Sequence, residues 1–104
     1  MAGFIQIIEF TTSRIDEVKA LGDEYRETRL AAGDGSPPVR GTVTADRDRP
    51  NTYLNIVEFA SYEDAMSNSN DPRTSEFAEK MGKLCDGPPK FYNLDTVDAW
   101  QTGG

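Results

Sequence analysis

Hydrophobic positions along this chain switch between a two-residue rhythm and a three-to-four-residue rhythm, and the switches mark its elements. Phe4-Ile5-Gln6-Ile7-Ile8-Glu9-Phe10 is a β-branched and aromatic run that predicts a first strand. Phe4, Gln6, Ile8 and Phe10 share one face, and Ile5, Ile7 and Glu9 share the other. Both faces are largely apolar, so the strand should be covered on both sides. Thr11-Thr12-Ser13 then signals a helix start, with Ser13 as the cap and Asp16 reaching back to it. Ile15, Val18, Leu21, Gly22, Tyr25, Thr28 and Ala32 make a stripe at helical spacing, which predicts a helix over 14–32. Gly33 is placed to stop it, and residues 34–38 have loop chemistry.

Val39 to Ala45 alternates with a polar face formed by Arg40, Thr42 and Thr44, and Thr52 to Phe59 is a third strand. Residues 46–51 form the turn between them, so the two strands should pair as a hairpin. Ser61 followed by Asp64 predicts a short capped helix, and Asp71-Pro72 predicts another start with Pro in the first turn. Thr74, Phe77, Ala78, Met81, Leu84 and Cys85 give that helix its apolar stripe. Gly87-Pro88-Pro89 ends it, Lys90 to Val97 is the last strand, and the tail 100–104 has no assignment. The order β-α-β-β-α-β over 1–104 is one α+β domain with an antiparallel sheet, the ferredoxin-like pattern.

Helices on one side leave the other sheet face open. If Phe4, Ile8, Phe10, Val57 and Phe59 pack beneath the helices, Ile5, Ile7, Leu54 and Ile56 must point outward. Leaving four such side chains in water forgoes about 1.5–3 kcal/mol each, and a second copy of the same sheet is the simplest cover. A homodimer is therefore expected, with Trp100 packing on the partner subunit.

Charge and composition narrow the function. Eleven basic against eighteen acidic residues leave a net charge of −7, which repels phosphate backbones and anionic lipid. Neither a nucleic-acid nor a membrane partner is expected. The run 3–10 is too short to span a bilayer and lacks the basic flank of a signal peptide, so a cytoplasmic location is expected. The absence of histidine removes imidazole bases, Ser-His-Asp triads and His-ligated metals. Cys85 is the one cysteine, expected to be an inert packing residue. Asp46 and Asp48 alternate with Arg47 and Arg49, a solvated charged turn rather than a metal site.

The passage Tyr53-Leu54-Asn55-Ile56-Val57-Glu58-Phe59-Ala60-Ser61-Tyr62-Glu63-Asp64-Ala65-Met66, with the topology and length, resembles the dimeric α/β-barrel superfamily. Within it, the antibiotic biosynthesis monooxygenase-like proteins are the most similar. There a strand ending in an aromatic runs into a short capped helix bearing Glu-x-Ala, so Phe59 takes the place often held by a pocket Trp. That family commonly carries a His after this helix, where Ser67-Asn68-Ser69-Asn70 stands here. The departure argues against haem ligation. It leaves the family's cofactor-independent oxidations, in which the substrate supplies the electrons, or a related cyclisation or isomerisation, and equally a member that only binds.

The expected cavity lies between the helices and the face carrying Phe4, Gln6, Ile8, Phe10, Tyr53, Asn55, Val57 and Phe59. Asn55 and Gln6 are amides among aromatics, able to orient a carbonyl or phenol or to stabilise an oxyanion. Tyr53 is the third candidate catalytic residue. Each of the three can equally be a satisfied structural group. Phe59, Tyr25, Arg29, Met66 and Ser69 are the candidate substrate contacts, for a small apolar or aromatic ligand of polyketide type. Arg29 can meet an anion, but an internal pair with Glu9 or Glu58 is the simpler expectation. No metal and no cofactor is expected. The rival function is a non-catalytic ligand-binding or structural dimer.

Overall fold

Strand β1 (Phe4–Thr11) lies between β3 (Thr52–Phe59) and β4 (Lys90–Asp95), and β2 (Arg40–Ala45) borders β3. All three pairings are antiparallel. The chain is seen as a computed structural model that describes residues 3–33, 35 and 37–103. Helices α1 (Ile15–Ala32), α2 (Tyr62–Ser69) and α3 (Pro72–Gly82) complete the order β1-α1-β2-β3-α2-α3-β4. The α+β ferredoxin-like layout expected from the hydrophobic pattern is therefore the one observed. Met1, Ala2, Asp34, Ser36 and Gly104 lie outside the described residues.

Register settles the two faces. Phe4 pairs with Phe59, Gln6 with Val57, Ile8 with Asn55 and Phe10 with Tyr53. Because directly paired residues project to the same side, these eight share a face with Val43 of β2 and Asn93 of β4. Phe4, Phe59 and Ala65 form the buried core, with Val57 and Met66 packed against it. That core pins α2 to the sheet, and Phe4 meets Tyr62 edge-on at 5.3 Å. Ile5, Ile7, Leu54 and Ile56 occupy the opposite face, joined by Tyr92 and Leu94 through the β1–β4 register.

Helix ends follow local chemistry in most places and depart from it in two. Ser61 Oγ accepts from the Asp64 amide at 3.1 Å, and Asp71 Oδ1 accepts from the Arg73 amide at 2.9 Å with Pro72 behind it. Gly33 closes α1 in the left-handed conformation, φ 66°, its amide bonded to the Arg29 carbonyl. Ser13, however, does not cap α1. Arg14 holds the cap position without a side-chain bond. The neighbouring Thr12 is fully buried, accepting from the Arg14 amide and donating to the Leu84 carbonyl at 2.6 Å. Thr12 rather than Ser13 thus supplies the hydroxyl that meets a backbone amide at the start of α1. The second departure is that α3 ends at Gly82, so Leu84 and Cys85 lie in the turn after it. The last strand stops at Asp95, and beyond it Val97 and Trp100 are 98% and 82% exposed.

Candidate functional site

Asn55 stands in the middle of β3, on the face beneath the helices, where one cleft opens between sheet and helices. The cleft holds about 90 Å³. Phe10 and Val43 come from the strands, Ile15, Val18 and Gly22 from α1, and Phe77 and Met81 from α3. Exposed Lys19, Asp23 and Arg26 of α1 form its rim. The Asn55 amide is half-buried and makes no side-chain hydrogen bond among the described residues.

The other candidates divide among three places. Tyr53 stacks on Phe10, centroids 5.7 Å apart and planes at 27°, and so braces a wall of the cleft. Gln6 shares Asn55's face but donates to Asn93 Oδ1 at 3.1 Å, toward the β4 edge. Phe59 is 4% exposed and Met66 packs beside it, so both belong to the solid core under α2. Ser69 ends α2 and is exposed.

Tyr25 and Arg29 meet each other, away from Asn55. Arg29 donates through Nη1 to the Tyr25 hydroxyl at 2.6 Å and to Asn68 Oδ1 at 2.9 Å. The Tyr25 and Thr74 hydroxyls lie 2.6 Å apart, and Arg29 Nη2 reaches Asp71 Oδ2 at 3.7 Å. This cluster ties the end of α1 to the end of α2 and the start of α3. Tyr25 also stacks on Phe77 at 4.5 Å, so the helix pair is aligned by rings and by charge together. The expected internal pairing of Arg29 is present, but Asp71 replaces Glu9 and Glu58. Those two glutamates face the other side of the sheet, where Glu9 pairs with Arg49 at 3.2 Å and Glu58 with Arg40 at 3.3 Å.

Hydrogen bonds hold three carboxylates, Asp71, Glu9 and Asp46, below their ordinary range. Asp71 is held far below its usual range, first by the side-chain hydrogen bond from Arg73 and then by the Arg73 amide. Glu9 is lowered by hydrogen bonds from Arg49 and then from Tyr92, whose hydroxyl donates at 3.0 Å. The Cys85 thiol is pushed up by burial and then by Asp86. No group of three or more Cys, Asp or Glu residues poised for a metal occurs among the described residues. No helix there is long and apolar enough to cross a membrane. A larger hollow, about 150 Å³, lies between α1 and α3 and is lined by no strand residue. Its charged Glu24, Arg73, Glu76 and Lys80 stand beside Leu21, Tyr25 and Phe77, and none of the candidate amides lines it.

Sequence reasoning missed Val18, Phe77 and Met81 as cleft walls. Their signal was their place on the inward stripes of α1 and α3, which marks burial without telling core from cleft.

No protein-family profile matches the chain, and no curated protein matches it either. Solved structures do. A cofactor-independent oxygenase from Streptomyces nogalater, SnoaB, superposes with a TM-score of 0.73 at 18% identity, over 98% of this chain and 97% of that one. A candidate antibiotic biosynthesis monooxygenase from Caulobacter crescentus gives 0.75 at 14% identity, over 93% and 92%. The Rv0793 protein from Mycobacterium tuberculosis gives 0.72 at 17% identity, over 95% and 99%. The fold is shared end to end with proteins carrying the name that the passage from Tyr53 to Met66 resembles.

Proposed function

We propose that this chain is a homodimeric small-molecule-binding protein that takes an aromatic, polyketide-like ligand in the cleft beneath α1 and α3, and oxidises it without a cofactor. The observation that carries this is Asn55: a half-buried amide, unpartnered within the chain, set among Phe10, Val18, Phe77 and Met81. The apolar walls offer contact to the face of an aromatic ring, and the amide supplies one directional contact to a ring oxygen. The likeness to SnoaB supports the oxidation half of the proposal.

In the proposed reaction a phenolic ring ionises and its electrons reduce dioxygen. One oxygen atom stays on the ring carbon as a quinone carbonyl, and the other leaves as water with the ring's two hydrogens. Asn55 donates to the phenolate oxygen and favours its charge where water is excluded. Tyr53 holds Phe10 in place, and Gln6, turned toward Asn93, bounds the same face. Phe59 and Met66 form the rigid floor beside the cleft, and Tyr25 and Arg29 fix its roof through α1 and α3. Ser69 has no part in this geometry.

Oxygen uptake and quinone absorbance with a panel of hydroquinones and phenols test the proposal. Asn55→Ala should lose at least about tenfold in kcat/KM, about 1.4 kcal/mol of transition-state binding. One observation favours a carrier instead: every ionisable side chain of the cleft stands at its exposed rim, none at its inner wall. Binding of those compounds with no uptake for any of them decides for the carrier.

A further inference from the structure

The sign of charge on α1 is sorted by face. The helix carries five acidic residues, Asp16, Glu17, Asp23, Glu24 and Glu27, against Lys19, Arg26 and Arg29. Of the acids only Asp23 lines the cleft, whereas both exposed cations, Lys19 and Arg26, do. Asp23 is itself engaged by Arg26, and Lys19 makes no ion pair among the described residues. The rim therefore carries a net positive charge on a chain whose total is −7.

Size directs a ligand's charge to the same place. The cleft, about 90 Å³, is smaller than an engineered cavity of about 150 Å³ that encloses benzene. A ring therefore reaches toward Asn55 only in part, and the rest of the ligand, with its substituents, lies at the mouth. Lys19 and Arg26 stand there about 10 Å apart along the helix, close enough to flank one group.

We infer that the ligand of the Asn55 cleft is an aromatic acid, its ring against Phe10, Phe77 and Met81 and its carboxylate between Lys19 and Arg26. The inference rests on the cleft reading above and narrows it, because a neutral ring would leave the sorted charge of α1 without a purpose. On a chain of net charge −7, an anion is drawn toward a mouth whose lining charges sum to positive.

A matched pair of probes, 2-naphthoate and its neutral analogue 2-naphthamide, separates charge from shape. Titrations of the full chain are followed at neutral pH by the side-chain and backbone amide signals of Asn55. In about 20 mM salt, naphthoate should bind at least about fivefold more tightly than naphthamide, and about 0.5 M salt should abolish the difference. The double variant Lys19→Gln, Arg26→Gln should lose the preference while keeping naphthamide affinity. Asp23→Asn should strengthen naphthoate binding, a gain that a damaged fold cannot produce. Equal affinities for the two probes, with Asn55 shifting for both, would overturn the acid preference and leave the cleft as a neutral ring site. If neither probe shifts Asn55, the cleft reading falls as well.

Discussion

Arg29 is turned away from water, its side chain 9% exposed, and its contacts reach three helices. Arg29→Met should destabilise the protein by about 2–3 kcal/mol, at the lower end for a broken buried pair because Asp71 keeps Arg73. Urea unfolding checks this, and Arg29→Lys should recover little because one ammonium cannot serve Tyr25, Asn68 and Asp71 together. Acid stability depends on Asp71, Glu9 and Asp46, all held below their ordinary values in the folded chain. The unfolded chain then binds more protons as pH falls. Their stabilising contribution is complete above about pH 5 and is lost progressively as pH drops below about 4. Replacing Asp71 with Asn should flatten that acid limb in denaturation curves collected across pH. Cys85, its thiol raised by burial, should react with a disulfide reagent at pH 8 several-fold more slowly than a free cysteine.

Individual elements are closed by a few short-range contacts, and these are the parts most legible in the sequence. Ser61 and Asp71 act on amides two or three residues away, so spacing alone located both starts. Ser61→Ala should cost about 1 kcal/mol and lower Tm by about 4–8 °C in a scan of the whole chain. Thr12 shows the limit of that logic. Its hydroxyl donates to a carbonyl 72 residues away, and α1 starts after Arg14 with no side-chain cap from Ser13. The end of α3 is similar in kind. Leu84 and Cys85 continue an apolar spacing, yet the Leu84 carbonyl is used by Thr12 and the Asp86 amide by the Thr11 carbonyl, so the segment bends to β1 instead.

At the scale of the whole molecule, the sheet has one face under helices and one without. Ile5, Ile7, Leu54 and Ile56 form a strip on the open face, extended by Leu94, which is 42% exposed. Charged pairs bound it, Arg40 with Glu58 at one end and Glu9 with Arg49 at the other. A two-fold pairing of such strips buries the apolar middle and leaves the charges at the margin. We expect sedimentation at twice 11.5 kDa, with Ile56→Asp returning the chain to 11.5 kDa while its helical signal persists. Val97 and Trp100, which touch little of their own subunit, would lie on the partner, and removal of Trp100 should weaken the dimer.

Alternation in β1 and β3, the stripes of α1 and α3, and the punctuation at Gly33, Pro50 and Pro72 were sufficient for the element order and the sheet. Each of these depends on residues within a few positions of one another, and backbone geometry converts such spacing directly into faces. Register, and with it the separation of Asn55 from Arg29, required the tertiary structure. Both residues read as inward polar groups, but only the packing of α1 against α2 and α3 shows that the Arg29 Nη groups meet Tyr25, Asn68 and Asp71 while Asn55 is left open. Which polar side chain finds a partner is a matter of contacts between segments 39 or more residues apart, and one-dimensional spacing does not contain them.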